Sequence, residues 1–177
     1  ILPPGAEREP LKIVSEIAFH KVTVIHFVPS MFSVFIDYLK ASHTVNSISG
    51  LKWIIASGEA LQPKTVNEFN KLRAYSELPE VINLYGPTEA TIDVSIYKCS
   101  QADDIKEIPI GKTIDNTKLY ILSKADQLQP WGVPGELVIA GVNLARGYLN
   151  NEELTNKKFP HIHLNEGVDL RIYRTGD

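Results

Sequence analysis

Cysteine is almost absent from this chain: Cys99 is the single one among 177 residues. That excludes an intrachain disulfide and a cysteine-based zinc cluster, and it suits a reducing cytoplasm, where the chain is expected to reside. Runs of one charge are also missing. The 18 basic residues are matched by 21 acidic ones for a net charge of -3, and no segment concentrates the positive field that attracts nucleic acid or an anionic membrane. No apolar stretch approaches the roughly 20 residues needed to cross a bilayer. Ile1 leads directly to Pro3, Pro4 and Gly5, without the basic and then apolar order of a signal peptide. Neither nucleic acid nor membrane is an expected partner. No Gly-x-Ser-x-Gly elbow occurs, which leaves a serine hydrolase without support. An initiator Met is lacking and the chain stops at Thr175-Gly176-Asp177, so it reads as a segment of something longer.

What is present is ordinary globular composition, 44% hydrophobic and 22% charged, enough for one large domain or two small ones. Leu11, Val14, Ile17 and Ala18 recur at helical spacing, and Val22 to Val28 then form a β-branched run ending at Pro29. Ser30 is placed to cap a second helix carrying Phe32, Phe35, Ile36 and Leu39 on one face. Leu51 to Ala56 predicts a strand, Pro63 the first turn of a third helix with Val66, Phe69 and Leu72, and Val81 to Tyr85 another strand. Helices alternating with strands predict an α/β fold, a parallel sheet flanked by helices, with ligands gathered beyond the carboxyl ends of the strands. After about residue 100 the segments shorten. Ile108 to Ile110, Lys118 to Leu122, Glu136 to Ala140 and Arg171 to Arg174 read as strands, Pro130 to Gly135 as a hairpin turn, and Glu152 to Phe159 as a short helix. The expected organisation is therefore an α/β unit over 1–100 and a β-rich unit over 101–177.

Asn83-Leu84-Tyr85-Gly86-Pro87-Thr88-Glu89 is the most informative stretch. An apolar strand is stopped by Gly-Pro and followed at once by a hydroxyl and a carboxylate. Tyr85 offers a flat face for a base, Thr88 a hydroxyl and an amide for a phosphate oxygen, and Glu89 a hard oxygen for Mg²⁺. Equally open at this point is a plain strand followed by a proline turn, with Thr88 or Glu89 capping a short helix.

Taken with other segments, this stretch carries a family resemblance. NLYGPTEAT resembles the core motif of the adenylate-forming superfamily in the form used by the amino-acid-activating domains of nonribosomal peptide synthetases. GELVIAGVNLARGYLN, 135–150, and YRTGD, 173–177, resemble the two motifs that follow it, and LPPG at 2–5 and SGEAL at 57–61 are similar to family sequence as well. The resemblance implies the large N-terminal adenylation core followed by a β-rich, distorted-barrel subdomain. It implies that Tyr85 stacks on adenine, Thr88 contacts the α-phosphate, Glu89 binds magnesium, Asp177 grips the ribose diol with its two acceptor oxygens, and Gly58 lets the backbone approach the adenine. Thr88 and Glu89 are the residues it marks as catalytic. The family pattern has two glycines where this chain has Ser57-Gly58. The ARGYL segment is assigned to scaffolding, and Arg146 to an ion pair or a backbone anchor.

The same resemblance places His26, Ile55, Ser57, Leu84, Ile92 and Asp93 around the amino-acid side chain. Three of these are polar, which a pocket for Leu, Val or Phe would not tolerate, since each buried polar group without a partner costs about 1 to 3 kcal/mol. The set is similar to the family's serine-selective code, with threonine the nearest competitor. Its simplest alternative makes His26 a core histidine satisfied by backbone. His161 and His163, with no Cys or third His nearby, read as a solvated loop or strand.

The implied reaction joins an amino acid to ATP as an aminoacyl-AMP with release of pyrophosphate. The acyl group then passes to the phosphopantetheine thiol of a carrier domain, and carrier and condensation domains are the implied partners. The family's phosphate loop ending in Lys, the Asp that pairs with the substrate ammonium, and the catalytic Lys of the mobile C-terminal domain have no counterpart in the chain, so the chain alone is expected to be inactive. An acyl- or aryl-CoA ligase of the same superfamily, and a non-catalytic module that docks neighbouring domains, are the alternatives.

Overall fold

A computed structural model describes residues 2, 4–102, 104–164 and 168–177. The chain forms two compact units, the first from Ile1–Leu84 and Ile96–Gly111 and the second from Tyr85–Ser95 and Lys112–Asp177.

In the first unit, helices α1 (Pro10–His20), α2 (Pro29–Ser42) and α3 (Pro63–Asn70) alternate with strands β1 (Val24–Phe27), β2 (Trp53–Ala56) and β3 (Glu80–Tyr85). The three strands are parallel, with Val24 opposite Trp53 and Trp53 opposite Glu80. Strand β4 (Ser95–Lys98) lies beside β3. It runs the other way: the Cys99 amide bonds to the Val81 carbonyl and the Val94 amide to the Tyr85 carbonyl. The sheet is thus mixed, three parallel strands with an antiparallel neighbour. Each helix opens on a proline at its first or second position, where the missing N–H costs nothing.

The core is built around phenylalanines. Phe32, Phe35 and Phe69 are almost fully buried; the Phe27 and Phe35 ring centroids are 5.0 Å apart and those of Phe32 and Phe69 5.2 Å. Helix α2 buries Phe32, Phe35, Ile36 and Leu39, the face its periodicity predicts. Helix α1 is rotated from expectation: Ile13, Val14 and Ile17 are inside, whereas Leu11 is 60% exposed. Both stripes satisfy helical spacing, and packing in the unit's core selects one. Ser30 is not a cap. Pro29 takes the first helical position, which puts Ser30 inside the first turn. Its amide donates to Glu59 Oε2 at 3.1 Å and its hydroxyl to Oε1 at 3.2 Å, so a carboxylate from another segment sits where the helix dipole favours negative charge. The expected strand Ile108–Ile110 does not form; Pro109 instead offers its carbonyl to the Asn83 side-chain amide at 3.1 Å. Cys99 is buried, and burial pushes its thiol up to about 11.

The second unit contains β5 (Lys112–Thr113), β6 (Thr117–Leu122), β7 (Glu136–Gly141), helix α4 (Glu152–Lys158), β8 (His161–Leu164) and β9 (Val168–Arg174). Four of the strands make an antiparallel sheet in the order β6-β7-β9-β8. Strands β6 and β8 are its edges, so among the described residues the β-rich unit is an open sheet and not a closed barrel. Alternation along β7 sends Val138 and Ala140 to one face, with Leu122, Ile162 and Ile172, and Ile139 to the other, with Phe159, Tyr173, Ala90 and Val94. The β6–β7 turn is closed by the Gln129 amide on the Ile121 carbonyl and the Val133 amide on the Pro130 carbonyl. Asn151 caps α4 through its side chain, accepting from the Leu154 amide at 3.0 Å. His161 and His163 lie on β8 with Asp169 of β9 near both rings. No helix among the described residues is long and apolar enough to cross a membrane.

Two outcomes follow from the first unit's packing. Phe69→Ala removes a fully buried ring and is expected to cost about 3–5 kcal/mol in urea unfolding; a loss under about 1 kcal/mol would contradict this description of the core. Glu68 of α3 accepts from both Lys40 and Lys71, and these partners hold its carboxyl down at about 2, against an ordinary value of 4.5. A carboxyl depressed by folding stabilises above its unfolded value, and that contribution fades as pH falls from 4.5 towards 2. Glu68→Gln is expected to flatten this part of a stability–pH profile, and an unchanged slope would contradict the assignment.

Candidate functional site

The segment between β3 and β4 is a tight loop. Its base is closed by the Val94 amide on the Tyr85 carbonyl at 2.7 Å, and inside it Thr88–Ala90 make one 3-10 turn, with the Ala90 amide on the Pro87 carbonyl and the Thr91 amide on the Thr88 carbonyl. A proline turn and a short helix are therefore both present. No side chain caps that helix, however, so capping does not account for the hydroxyl and the carboxylate. Gly86 has a steric reason to be glycine: a Cβ there would lie 2.3 Å from the Ile92 carbonyl oxygen. Thr91 and Ile92 follow with φ of 58° and 75°. Two β-branched residues in the left-handed region store backbone strain of order 1–3 kcal/mol each, a cost that clusters at functional loops. Ile92 is 65% exposed, and Asp93 comes next, its amide on the Thr91 carbonyl at 3.0 Å.

Two acids in the second unit are held by tyrosines. The Tyr85 hydroxyl donates to Asp177 Oδ2 at 2.6 Å across 92 residues of sequence. Burial, and then the acceptor Asp177, push the Tyr85 phenol well above its ordinary range, so it stays protonated and donating. Tyr148 donates to Glu89 Oε1 at 2.7 Å, and this bond holds the Glu89 carboxyl below its usual range against the opposing effect of burial. The turn is also tied through its backbone. The Ala145 amide reaches the Glu89 carbonyl at 2.7 Å, the Asn143 side-chain amide the Ala90 carbonyl at 3.1 Å, and the Thr91 hydroxyl the Asn143 carbonyl at 2.7 Å. Sequence reasoning did not assign Asn143 or Tyr148 to the site. They lie in 135–150, whose apolar strand signal points to scaffolding, and no local pattern marks a contact reaching 59 residues away.

In the first unit, His26 and Ser57 come together at the carboxyl ends of neighbouring strands. His26 Nε2 is 2.8 Å from the Ser57 hydroxyl, and the Ser57 amide extends the β1–β2 ladder to the Phe27 carbonyl. Ser57 is buried, while the His26 ring reaches the exposed side. His26 is therefore bonded to a side chain, not satisfied by backbone alone. Ile55 stands opposite His26 in the sheet and Leu84 lies on β3, both partly buried. Gly58 has φ of 88°, which itself calls for glycine, and an added Cβ would meet only Val28 Cγ1 at 3.5 Å.

An ionised, hydrogen-bonded Glu89 has the hard oxygen chemistry that Mg²⁺ takes. Among the described residues no group of three or more His, Cys, Asp or Glu side chains is placed to hold a metal ion. That donor set fits an ion held by one protein carboxylate together with substrate phosphates and water, and not a site built by protein alone.

The model of the AMP-binding enzyme family matches residues 1–149. Zwittermicin A synthase ZmaJ of Bacillus cereus is 45% identical over 179 residues, covering 100% of this chain and 33% of that protein. A linear gramicidin synthase polypeptide of Brevibacillus parabrevis is 46% identical over 180 residues, covering 100% of the chain and 3% of that polypeptide. The chain thus spans a third or less of the length of these relatives. Among solved structures, the nonribosomal peptide synthetase FmoA3 superposes with a TM-score of 0.84 at 27% identity, over 99% of this chain and 18% of that one. With the family model running through Tyr85, Thr88 and Glu89, and synthetase sequences aligning from end to end, the chain belongs to the AMP-binding enzyme family, as adenylation-domain sequence of the nonribosomal peptide synthetase type.

Proposed function

We propose that the protein carrying this chain activates L-serine with ATP, giving seryl-AMP and pyrophosphate, and loads the seryl group as a thioester onto the phosphopantetheine thiol of a carrier domain, releasing AMP. The observation that carries the choice of serine is the 2.8 Å pair of His26 and Ser57 at the carboxyl end of the parallel strands. A donor–acceptor pair there favours a substrate that brings a hydroxyl. A site built to bond a hydroxyl rejects analogues without one, because its own polar groups would lose a partner.

In this reading the serine carboxylate oxygen bonds to the α-phosphorus of ATP and the bond from that phosphorus to pyrophosphate breaks. Tyr85 presents its ring to the adenine and Asp177 accepts from the ribose hydroxyls. Thr88 donates to an α-phosphate oxygen, and Glu89 holds the magnesium ion. Bound Mg²⁺ supplies neutralisation of the phosphate charge. Gly58 gives the adenine room. The Tyr85–Asp177 bond, joining two of these groups, supports a common nucleotide role for them. It engages one oxygen of a carboxylate that has two, so accepting capacity is left for the ribose. Carrier and condensation domains are the proposed partners. Similarity to multidomain synthetases supports this, and so does a solved relative, PA1221, described as containing adenylation and PCP domains.

Serine-dependent exchange of pyrophosphate into ATP by the full-length protein, run beside a panel of amino acids, is expected to show serine first and threonine next. Preference for Leu, Val or Phe would refute the assignment. Asp93, which the resemblance places beside the amino-acid side chain, is assigned the task of accepting the substrate hydroxyl, because a carboxylate there needs a donor. Asp93→Ala is then expected to reduce serine activation roughly 10- to 100-fold relative to alanine activation, the value of a hydrogen bond to a charged group, and equal losses for the two amino acids would remove Asp93 from that role. The 177-residue chain by itself, which has no phosphate loop ending in Lys, is expected to give no exchange above background; robust exchange would contradict the part assigned to that loop.

A further inference from the structure

We propose that Tyr148 is a positioning residue that fixes the Glu89 carboxylate in the orientation from which it takes a divalent cation, a role that rests on the reading of Glu89 as the magnesium-binding acid. The GVNLARGYL segment is then part of the metal-binding apparatus and not only scaffold.

The geometry is that of a clamp. Four hydrogen bonds join 143–148 to 89–91: Tyr148 hydroxyl to Glu89 Oε1, Ala145 amide to Glu89 carbonyl, Asn143 side-chain amide to Ala90 carbonyl, and Thr91 hydroxyl to Asn143 carbonyl. Two fix the backbone of the turn and a third holds its Thr91 side chain. Only the fourth acts on the carboxylate itself. With one oxygen engaged by a donor, the carboxyl group no longer turns freely about its last bond, and the direction offered by the second oxygen is set before a ligand arrives. Such outer partners of a ligating carboxylate are part of a metal site's design.

Tyr148 can set that direction because it is itself held. Its amide donates to the Thr155 hydroxyl oxygen at 2.9 Å, and that hydroxyl donates to the Asn151 carbonyl at 2.8 Å. The approach is close enough to require Gly147. A Cβ there would lie 2.4 Å from Thr155 Cγ2, and φ is 147°. The Tyr148 ring packs edge-on to Phe159 at 5.8 Å, and Phe159 packs on Tyr173 at 5.0 Å. On the other side Arg171 Nη2 donates to the carbonyls of Ala145 and Arg146 at 2.9 Å each, while its guanidinium lies 4.8 Å over the Phe159 ring. A tyrosine serving only to fill the core would need its ring and nothing at the hydroxyl. This one aims its hydroxyl at a carboxylate.

The test compares Tyr148→Phe, Glu89→Gln and Glu89→Asp in the full-length protein. Binding of Mn²⁺, a paramagnetic substitute for Mg²⁺, is read by electron paramagnetic resonance in the presence of a non-hydrolysable ATP analogue, beside the KM for Mg²⁺ and kcat in pyrophosphate exchange. Tyr148→Phe keeps the ring and its packing. The expected result is Mn²⁺ affinity and KM for Mg²⁺ weakened about 10- to 100-fold, with the KM for the amino acid and the melting temperature close to wild type. Wild-type Mn²⁺ affinity in Tyr148→Phe, when Glu89→Gln has lost it, overturns the role of Tyr148 and leaves that of Glu89 standing. Wild-type affinity in Glu89→Gln overturns the Glu89 reading itself. Should Tyr148→Phe lower the melting temperature, Glu89→Asp decides, because it leaves Tyr148 packed and draws the carboxylate one methylene back from the hydroxyl. Unchanged Mn²⁺ affinity there also overturns the proposal, and a loss at least as large as that of Tyr148→Phe supports it.

Discussion

The bond from the Val94 amide to the Tyr85 carbonyl imposes the constraint on which the loop at 86–93 depends. A chain that leaves one strand and must return beside it within eight residues has little freedom, and every amide along the way needs a partner. The solution here is one 3-10 turn, a glycine where two backbone segments nearly touch, and two β-branched residues in the left-handed region. The result is a rigid presentation of Thr88 and Glu89. The strain of Thr91 and Ile92 is sustained because the segment at 143–148 grips the same turn from the side.

The two units contribute different chemistry. The first carries the His26–Ser57 pair at the carboxyl ends of its parallel strands, in keeping with the general location of ligand sites beside such strands. In the second, tyrosines serve as much for their hydroxyls as for their rings. Tyr85 and Tyr148 each place a phenol on an acid, and in both cases burial keeps the phenol protonated. A neutral donor is what a carboxylate needs if it is to be oriented without being neutralised.

Much of this was legible in the sequence, and the limits follow from what local pattern encodes. Periodicity located α2 and its buried face because four large residues at 32, 35, 36 and 39 leave one arrangement open. It misjudged Leu11, since residues at 11, 13, 14 and 17 allow two stripes and only packing in the core decides between them. Ser30 looked like a cap because serine commonly is one, yet Pro29 had already claimed the first helical position and Glu59, remote in sequence, took over the task. Strand β4, whose Ser, Ile, Tyr and Lys give a weak alternation, passed unnoticed. In the same way NLYGPTE named the residues facing the nucleotide in the proposed reading, while the contacts that hold them, Tyr148 on Glu89 and Tyr85 on Asp177, belong to tertiary structure. Nothing near Thr91 and Ile92 announces a left-handed backbone, because such residues by themselves favour extended conformations.

The solitary thiol has a practical corollary. Cys99 sits in the first unit's core with its ionisation pushed up to about 11 by burial, so at neutral pH its thiol stays protonated and little reactive. A cysteine introduced on an exposed surface would react with maleimide or a nitroxide reagent far faster than the native one. Spectroscopic probes can then be attached at a chosen position without first removing anything from the interior.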